Sequence, residues 1–154
     1  MMLKKVALLM VGGVFATSVL AQAELFKPDD LVKYRQSIYQ VMSAQATVLG
    51  ATAKGDIEFD PEVVRERALN MGNVAKLLGE TYVPATQGVK DSNMLPAAWE
   101  DMDGFGDKGK AFGGALQELI AVTGEEGFDK KAAGPAIVKV LKSCKACHDD
   151  YRAD

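Results

Sequence analysis

"GPAIVKVLKSCKACHDDYR" (Gly134 to Arg152) carries a helical apolar stripe that runs straight into the only two cysteines and the only histidine of the chain. Ile137, Val140, Leu141, Cys144, Cys147, His148 and Tyr151 recur at intervals that a 3.6-residue turn brings to one face. Two sulfurs and an imidazole on the inner side of a helix imply something on that side for them to hold.

Helical spacing recurs in three more segments upstream. Sustained apolar–polar alternation and Asn-Gly hairpin signals are absent, so the chain reads as all-α. A first helix opens at Pro28, with Asp29 and Asp30 complementing its dipole, and runs to about Gly50 with Leu31, Tyr34, Ile38, Met42 and Leu49 inside. "AKGDIEFD" (Ala53 to Asp60) connects it to a second helix, capped by Asp60 and opened by Pro61. That helix buries Val64, Ala68, Met71, Val74 or Ala75, and Leu78, and ends near Gly79. Glu80 to Pro96 is irregular and long for a bundle connection, so it covers something or lines a site.

A third helix, about Ala97 to Thr123, keeps Phe105, Phe112, Leu116 and Ile120 in period despite Gly104, Gly106, Gly109, Gly113 and Gly114. Each glycine costs roughly 1 kcal/mol relative to alanine in a helix interior. Two accounts fit: a loosely specified surface helix, or a helix whose backbone approaches something bulky. "GEEGFDKKAAGP" (Gly124 to Pro135) breaks the chain before the last helix. Four helices of about 20 residues predict one antiparallel up-down-up-down four-helix bundle over residues 24–154, the architecture that builds cofactor sites between facing helices.

Residues 1–23 have the layout of an export signal: Lys4 and Lys5, the apolar stretch Val6 to Leu20, and an Ala21-Gln22-Ala23 cleavage site. The apolar run is shorter than the roughly 20 residues that span a bilayer. Removal after Ala23 leaves about 130 residues, enough for one core, with a net charge of about −5. Such a chain lacks the clustered Lys and Arg that nucleic acid requires. It is expected to be periplasmic, with no membrane association once the signal is removed.

C-x-x-C-H is the attachment signature of c-type haem. Each thiol adds to one of two vinyl groups on the same porphyrin, and the adjacent His148 reaches the iron from one side. Assembly of such haem takes place outside the cytoplasm, in agreement with the export signal. A thiol-disulfide oxidoreductase using Cys144 and Cys147 would instead place the pair at a helix N-terminus after a strand, where the dipole lowers the thiol pKa. Zinc held by this chain's cysteines and histidine would have three ligands, one short of the usual structural four. A C-x-x-C disulfide closes too short a loop to stabilise much, and buried free cysteines can also serve as small hydrophobes.

With one histidine the chain assembles no Ser-His-Asp triad, and it has no glycine-rich phosphate loop or H-E-x-x-H helix. It is expected not to be an enzyme. A second axial ligand cannot be histidine, which leaves the thioethers of Met42, Met71, Met94 and Met102 as candidates.

"CKACHDDYR" at the C-terminus, "KYRQS" in the first helix and "PAAW" at Pro96 to Trp99, with Phe105 and Phe112 beyond, resemble the class II cytochromes c, and within them the high-spin cytochromes c′. The resemblance covers essentially the whole mature chain. It implies that the first helix crosses the haem face opposite His148. Arg35 and Gln36 then lie at the haem edge and Tyr39 meets the distal face of the iron, and their spacings of three and four put them on one side of the helix. Arg35 is suited to pair with a haem propionate.

In the low-spin branch of that class a methionine occupies the position of Tyr39. A protonated phenol, with a reference pKa near 10, is a poor neutral ligand, so five-coordinate iron is expected. Met42, three residues on, is the candidate sixth ligand of a low-spin electron carrier. Arg152 is expected beside the proximal imidazole, and Asn93 in a segment that brushes the haem edge. The resemblance implies electron transfer with redox partner proteins, and an apolar, crowded open face that excludes most anions and water while binding NO and CO. It also implies a homodimer through the first two helices, with Val32, Val41 and Val48 facing outward.

Overall fold

The computed structural model describes residues 26–153, so the expected export signal and the expected cleavage after Ala23 lie outside the described residues. Five helices form: α1 (Pro28–Lys54), α2 (Pro61–Ala75), the short α3 (Pro96–Glu100), α4 (Met102–Gly124) and α5 (Lys130–Tyr151). Two 3-10 turns, Gly79–Thr81 and Pro84–Thr86, lie between α2 and α3, and no strand forms among the described residues. The long helices pack as a ring, α1 on α2, α2 on α4, α4 on α5 and α5 back on α1, which is the four-helix bundle expected from the sequence.

The ends follow local chemistry. Gly55 adopts φ +88 and its N–H donates to Ala51 and Thr52, a left-handed cap that carries α1 past Gly50 to Lys54. Gly50 is therefore inside the helix. The Asp60 carboxylate accepts from the Glu62 and Val63 N–H groups, and Pro61 takes the first position of α2. α2 stops at Ala75, earlier than expected from the sequence, and Leu78 then introduces the first 3-10 turn.

The expected third helix is in fact two. Asp101 interrupts it and caps α4 by accepting from the Gly104 N–H at 3.0 Å. α5 also starts earlier than its apolar stripe: Asp129 caps it at Ala132, and Pro135 lies inside it. A proline this early removes one backbone bond without ending the helix. Of the six glycines of α4, Gly106, Gly109, Gly113, Gly114 and Gly124 face open space, whereas a Cβ at Gly104 would meet the Asp101 carboxylate and the Tyr151 hydroxyl.

One core runs along the bundle, with Leu49, Val64, Ala68, Met71, Leu119, Ile137 and Val140 all but sealed from solvent. Met42 is part of it. Val32, expected to face outward, is 1% exposed. It lies one position from Leu31 on the inner stripe, and the irregular segment after α2 returns over that end of α1, as the Arg35 and Gln36 bonds to it show. Val41 is exposed and Val48 half-buried. No helix of the described residues is long and apolar enough to cross a membrane.

Candidate functional site

The last two turns of α5 carry Cys144, Cys147 and His148. Both thiols are free and half-buried, and Cys144 packs against the core. Burial pushes both thiol pKa values up, Lys108 offsetting part of the rise at Cys147. Thiols at the C-terminal end of a helix, with raised pKa, are poorly activated nucleophiles, which opposes redox chemistry of the thioredoxin kind. No three or more metal-ligating side chains converge among the described residues.

Burial first, and then the charge of Arg152, lower the His148 pKa and favour the neutral imidazole, the form with a lone pair for a metal. Arg152 Nη1 lies 3.2 Å from His148 Nδ1. The tail is anchored here by backbone: Leu95 N donates to Tyr151 O and Ala153 N to Asn93 O, both at 2.9 Å, around a Met94–Arg152 antiparallel bridge. Asn93 is thus brought to the tail, but its side chain is exposed and only its backbone makes the contact. A cavity of about 860 Å³ opens beside the imidazole, lined by Leu95, Leu141, Cys144, His148 and Arg152 among others.

α1 packs against α5, though none of its residues lines that cavity. Tyr39 is 37% exposed; desolvation is the main cause that raises its pKa, and Cys147 and Cys144 lie near enough to add to the rise. Its hydroxyl is 2.5 Å from that of Tyr82. Gln36 Nε2 donates to Asp91 O at 2.6 Å, tying α1 to the irregular segment.

Arg35 is 4% exposed and lies over the Tyr82 ring, 4.8 Å from its centroid. It donates to Thr81 O at 3.1 Å, Thr86 Oγ1 at 3.4 Å and Ser92 Oγ at 3.1 Å. No carboxylate pairs with it among the described residues. Burial holds the guanidinium below its ordinary pKa, as expected of a buried cation surrounded by neutral acceptors.

These features fit a tethered haem. Two free thiols share one helix face with an imidazole whose lowered pKa favours the neutral form, and a large cavity lined by Cys144 and His148 adjoins them. The whole bundle, from α1 to the tail, is what the comparisons with known proteins match. Residues 30–152 fit the family described as "Cytochrome C'".

The chain belongs to the cytochrome c′ family.

The cytochrome c' of Halomonas halodenitrificans is 35% identical over 133 residues, 83% of this chain and 99% of the relative. The solved structure described as cytochrome c' from Rhodobacter Spheriodes is 30% identical and superposes with a TM-score of 0.75, covering 84% of this chain and 99% of that one. A nitric oxide complex of a mutant of cytochrome c prime from Alcaligenes xylosoxidans matches with a TM-score of 0.74 at 30% identity, covering 83% of this chain and 98% of that one. Proteins of the family carry a covalently bound haem c, and this chain has the same cofactor.

Sequence reasoning missed Tyr82, Thr81, Thr86 and Ser92. The only signal for them was the length of the segment from Glu80 to Pro96, which does line the site. The Tyr39 side of the site also holds two hydroxyls where the sequence pointed to one.

Proposed function

We propose that this chain is an exported, periplasmic haem c protein that carries electrons between redox partner proteins and binds NO or CO at an open face of its iron, without catalytic turnover. Cys144 and Cys147 hold the porphyrin, and His148 Nε2 is the single protein ligand to the metal. Bound there, the haem supplies ferric–ferrous cycling and a vacant coordination position.

One observation carries the open-face reading: Tyr39, not a thioether, stands on the cysteine side of α1, while Met42 is 7% exposed within the apolar core. The phenol of Tyr39 has an ordinary pKa near 10, which desolvation raises further, so it is protonated at neutral pH, and a neutral phenol ligates poorly. Core packing of Met42 argues against the low-spin alternative. That relatives in the family are known as nitric oxide complexes supports a small-gas ligand.

Arg35 is suited to neutralise a propionate, as a buried fork with no carboxylate of its own. Arg152 controls approach on the side of the imidazole. A guanidinium only donates, so the Arg152 contact at 3.2 Å fits a ring proton on Nε2; an imidazole holding a metal through Nε2 would carry its proton on Nδ1 and could not accept from Arg152 there.

Absorption spectra of the purified protein, ferric and ferrous, with and without NO, test the reading. A broad high-spin Soret band that shifts on adding NO is expected. The charge-transfer band of a methionine-ligated ferric haem would replace it with the low-spin carrier.

A further inference from the structure

We propose that Tyr151 is a proton-coupled redox site: when hydrogen peroxide is reduced at the haem, Tyr151 supplies the electrons and Asp101 takes the phenolic proton. Discharging peroxide goes beyond carrying electrons or binding a gas. It rests on the open-face reading above, because peroxide must reach the metal.

Three of the chain's four tyrosines gather about one of the cysteines. Desolvation is the main cause that raises the pKa of Tyr39 and Tyr82, and the bond to Asp101 is the main cause at Tyr151; Cys147 lies near enough to add to all three. Aromatic contacts join them. The hydroxyls of Tyr39 and Tyr82 are 2.5 Å apart, and Phe105 packs edge-on between Tyr82 and Tyr151, with ring centroids 5.0 Å and 5.5 Å away. An oxidising equivalent on any one of these rings is a short step from the others.

Where it comes to rest depends on the proton. A phenol that loses an electron becomes a far stronger acid than any carboxylic acid, so oxidation is easy only where a base stands ready. Tyr151 has that base: its side chain is all but sealed from solvent, and its hydroxyl donates to Asp101 Oδ2 at 2.9 Å. The Gly104 N–H first, and then Tyr151, hold the Asp101 carboxyl below its ordinary pKa, so it is ionised at neutral pH. Asp101 is itself exposed, so the proton it takes can pass to water.

The other tyrosines lack one of these features. Tyr39 and Tyr82 offer each other only a neutral hydroxyl. Tyr34 donates to the Glu80 carboxylate at 3.0 Å but stands outside the chain of aromatic contacts.

Each hydrogen peroxide takes up two electrons and two protons and leaves as two waters, its O–O bond broken. Tyr151 is therefore oxidised twice per peroxide. Each time one electron passes from the phenol towards the haem and the O–H bond breaks, the proton going to Asp101 Oδ2 and exchanging with solvent, which supplies the protons of the two waters. A neutral tyrosyl radical remains until a donor protein returns one electron and a proton comes back through Asp101.

The test mixes the haem-loaded mature protein with hydrogen peroxide and reads the frozen samples by electron paramagnetic resonance. The parent should give a tyrosyl signal. Tyr151→Phe keeps the ring and should lose that signal or replace it with one of different line shape, whereas Tyr34→Phe should keep it in full. Asp101→Asn retains a side-chain oxygen to cap α4 but no basic carboxylate, and should slow appearance of the signal roughly 100-fold.

An unchanged line shape in Tyr151→Phe would overturn the assignment, and an unchanged rate in Asp101→Asn would overturn the role of the carboxylate. A high-spin protein that gives no tyrosyl signal with peroxide would overturn this proposal alone. A low-spin spectrum of the unmutated protein, read first, would remove the open face and the peroxide route together.

Discussion

The Tyr151 hydroxyl, on the last turn of α5, donates at 2.9 Å to Asp101 Oδ2, while Oδ1 of the same carboxylate caps α4 at the Gly104 N–H. One side chain thus joins the helix that carries the C-x-x-C-H motif to the start of its neighbour. Phe105 packs against Tyr151 with ring centroids 5.5 Å apart, and against Tyr82 on its other side.

This link should make stability depend on pH at both extremes. The Gly104 N–H first, and then Tyr151, hold the Asp101 carboxyl below its ordinary pKa, so its contribution is present above the unfolded value and is lost as pH falls through the folded one. Bonding to Asp101 pushes the Tyr151 phenol up to about 12. Its contribution is full below the unfolded value near 10 and disappears as pH rises to about 12. Thermal melts of Tyr151→Phe against the parent should differ most near neutral pH and converge in strong acid and strong alkali.

Gly104 and Gly109 should respond to alanine with opposite signs. A Cβ at Gly104 would stand 2.7 Å from Tyr151 Oη and closer still to Asp101 Oδ2, so Gly104→Ala must displace the cap and should cost about 1–2 kcal/mol. Gly109 faces open space in the same helix, and Gly109→Ala should stabilise by up to about 1 kcal/mol. Urea denaturation measures both.

Arg35→Met should destabilise by about 2 kcal/mol or more, because it strips donors from Thr81 O, Thr86 Oγ1 and Ser92 Oγ in a sealed site. Arg35→Lys should recover little of the loss, since an ammonium cannot span the same three acceptors. Denaturant midpoints of the three proteins check the order.

Removing one cysteine should leave the haem attached and removing both should free it. Mass spectrometry after acid-acetone extraction should show the haem adduct in Cys144→Ala and in Cys147→Ala. The double variant should weigh no more than its polypeptide.

Met42→Leu should leave the absorption spectrum unchanged and cost less than about 1.5 kcal/mol, as a volume-conserving swap in the core. Disappearance of a low-spin spectrum in this variant would show that Met42 ligates iron.

The bundle was legible because its signals are local. Asp60-Pro61 opens α2 where a cap followed by proline predicts, and the stripe of α5 reaches the core at Ile137 and Val140 as its spacing requires. Helix ends were less legible: α1 overran Gly50 because a left-handed cap was available only at Gly55, and Asp101 cut the third helix because its carboxylate found the Gly104 N–H. Val32 reads as outward from its place on an isolated helix. In the fold it is buried, at the end of α1 over which the segment beyond α2 returns to bond Arg35 and Gln36.

Cys144, Cys147 and His148 could be read from the chain alone, because three side chains at offsets of three and four on one helix need nothing but helical geometry to meet. The Tyr39–Tyr82 pair and the burial of Arg35 beneath Thr81, Thr86 and Ser92 could not. Those contacts join residues 43 to 57 positions apart through an irregular segment with no periodicity to read. Only packing of that segment against α1 decides which hydroxyl faces which, and whether a cation there has a counter-ion.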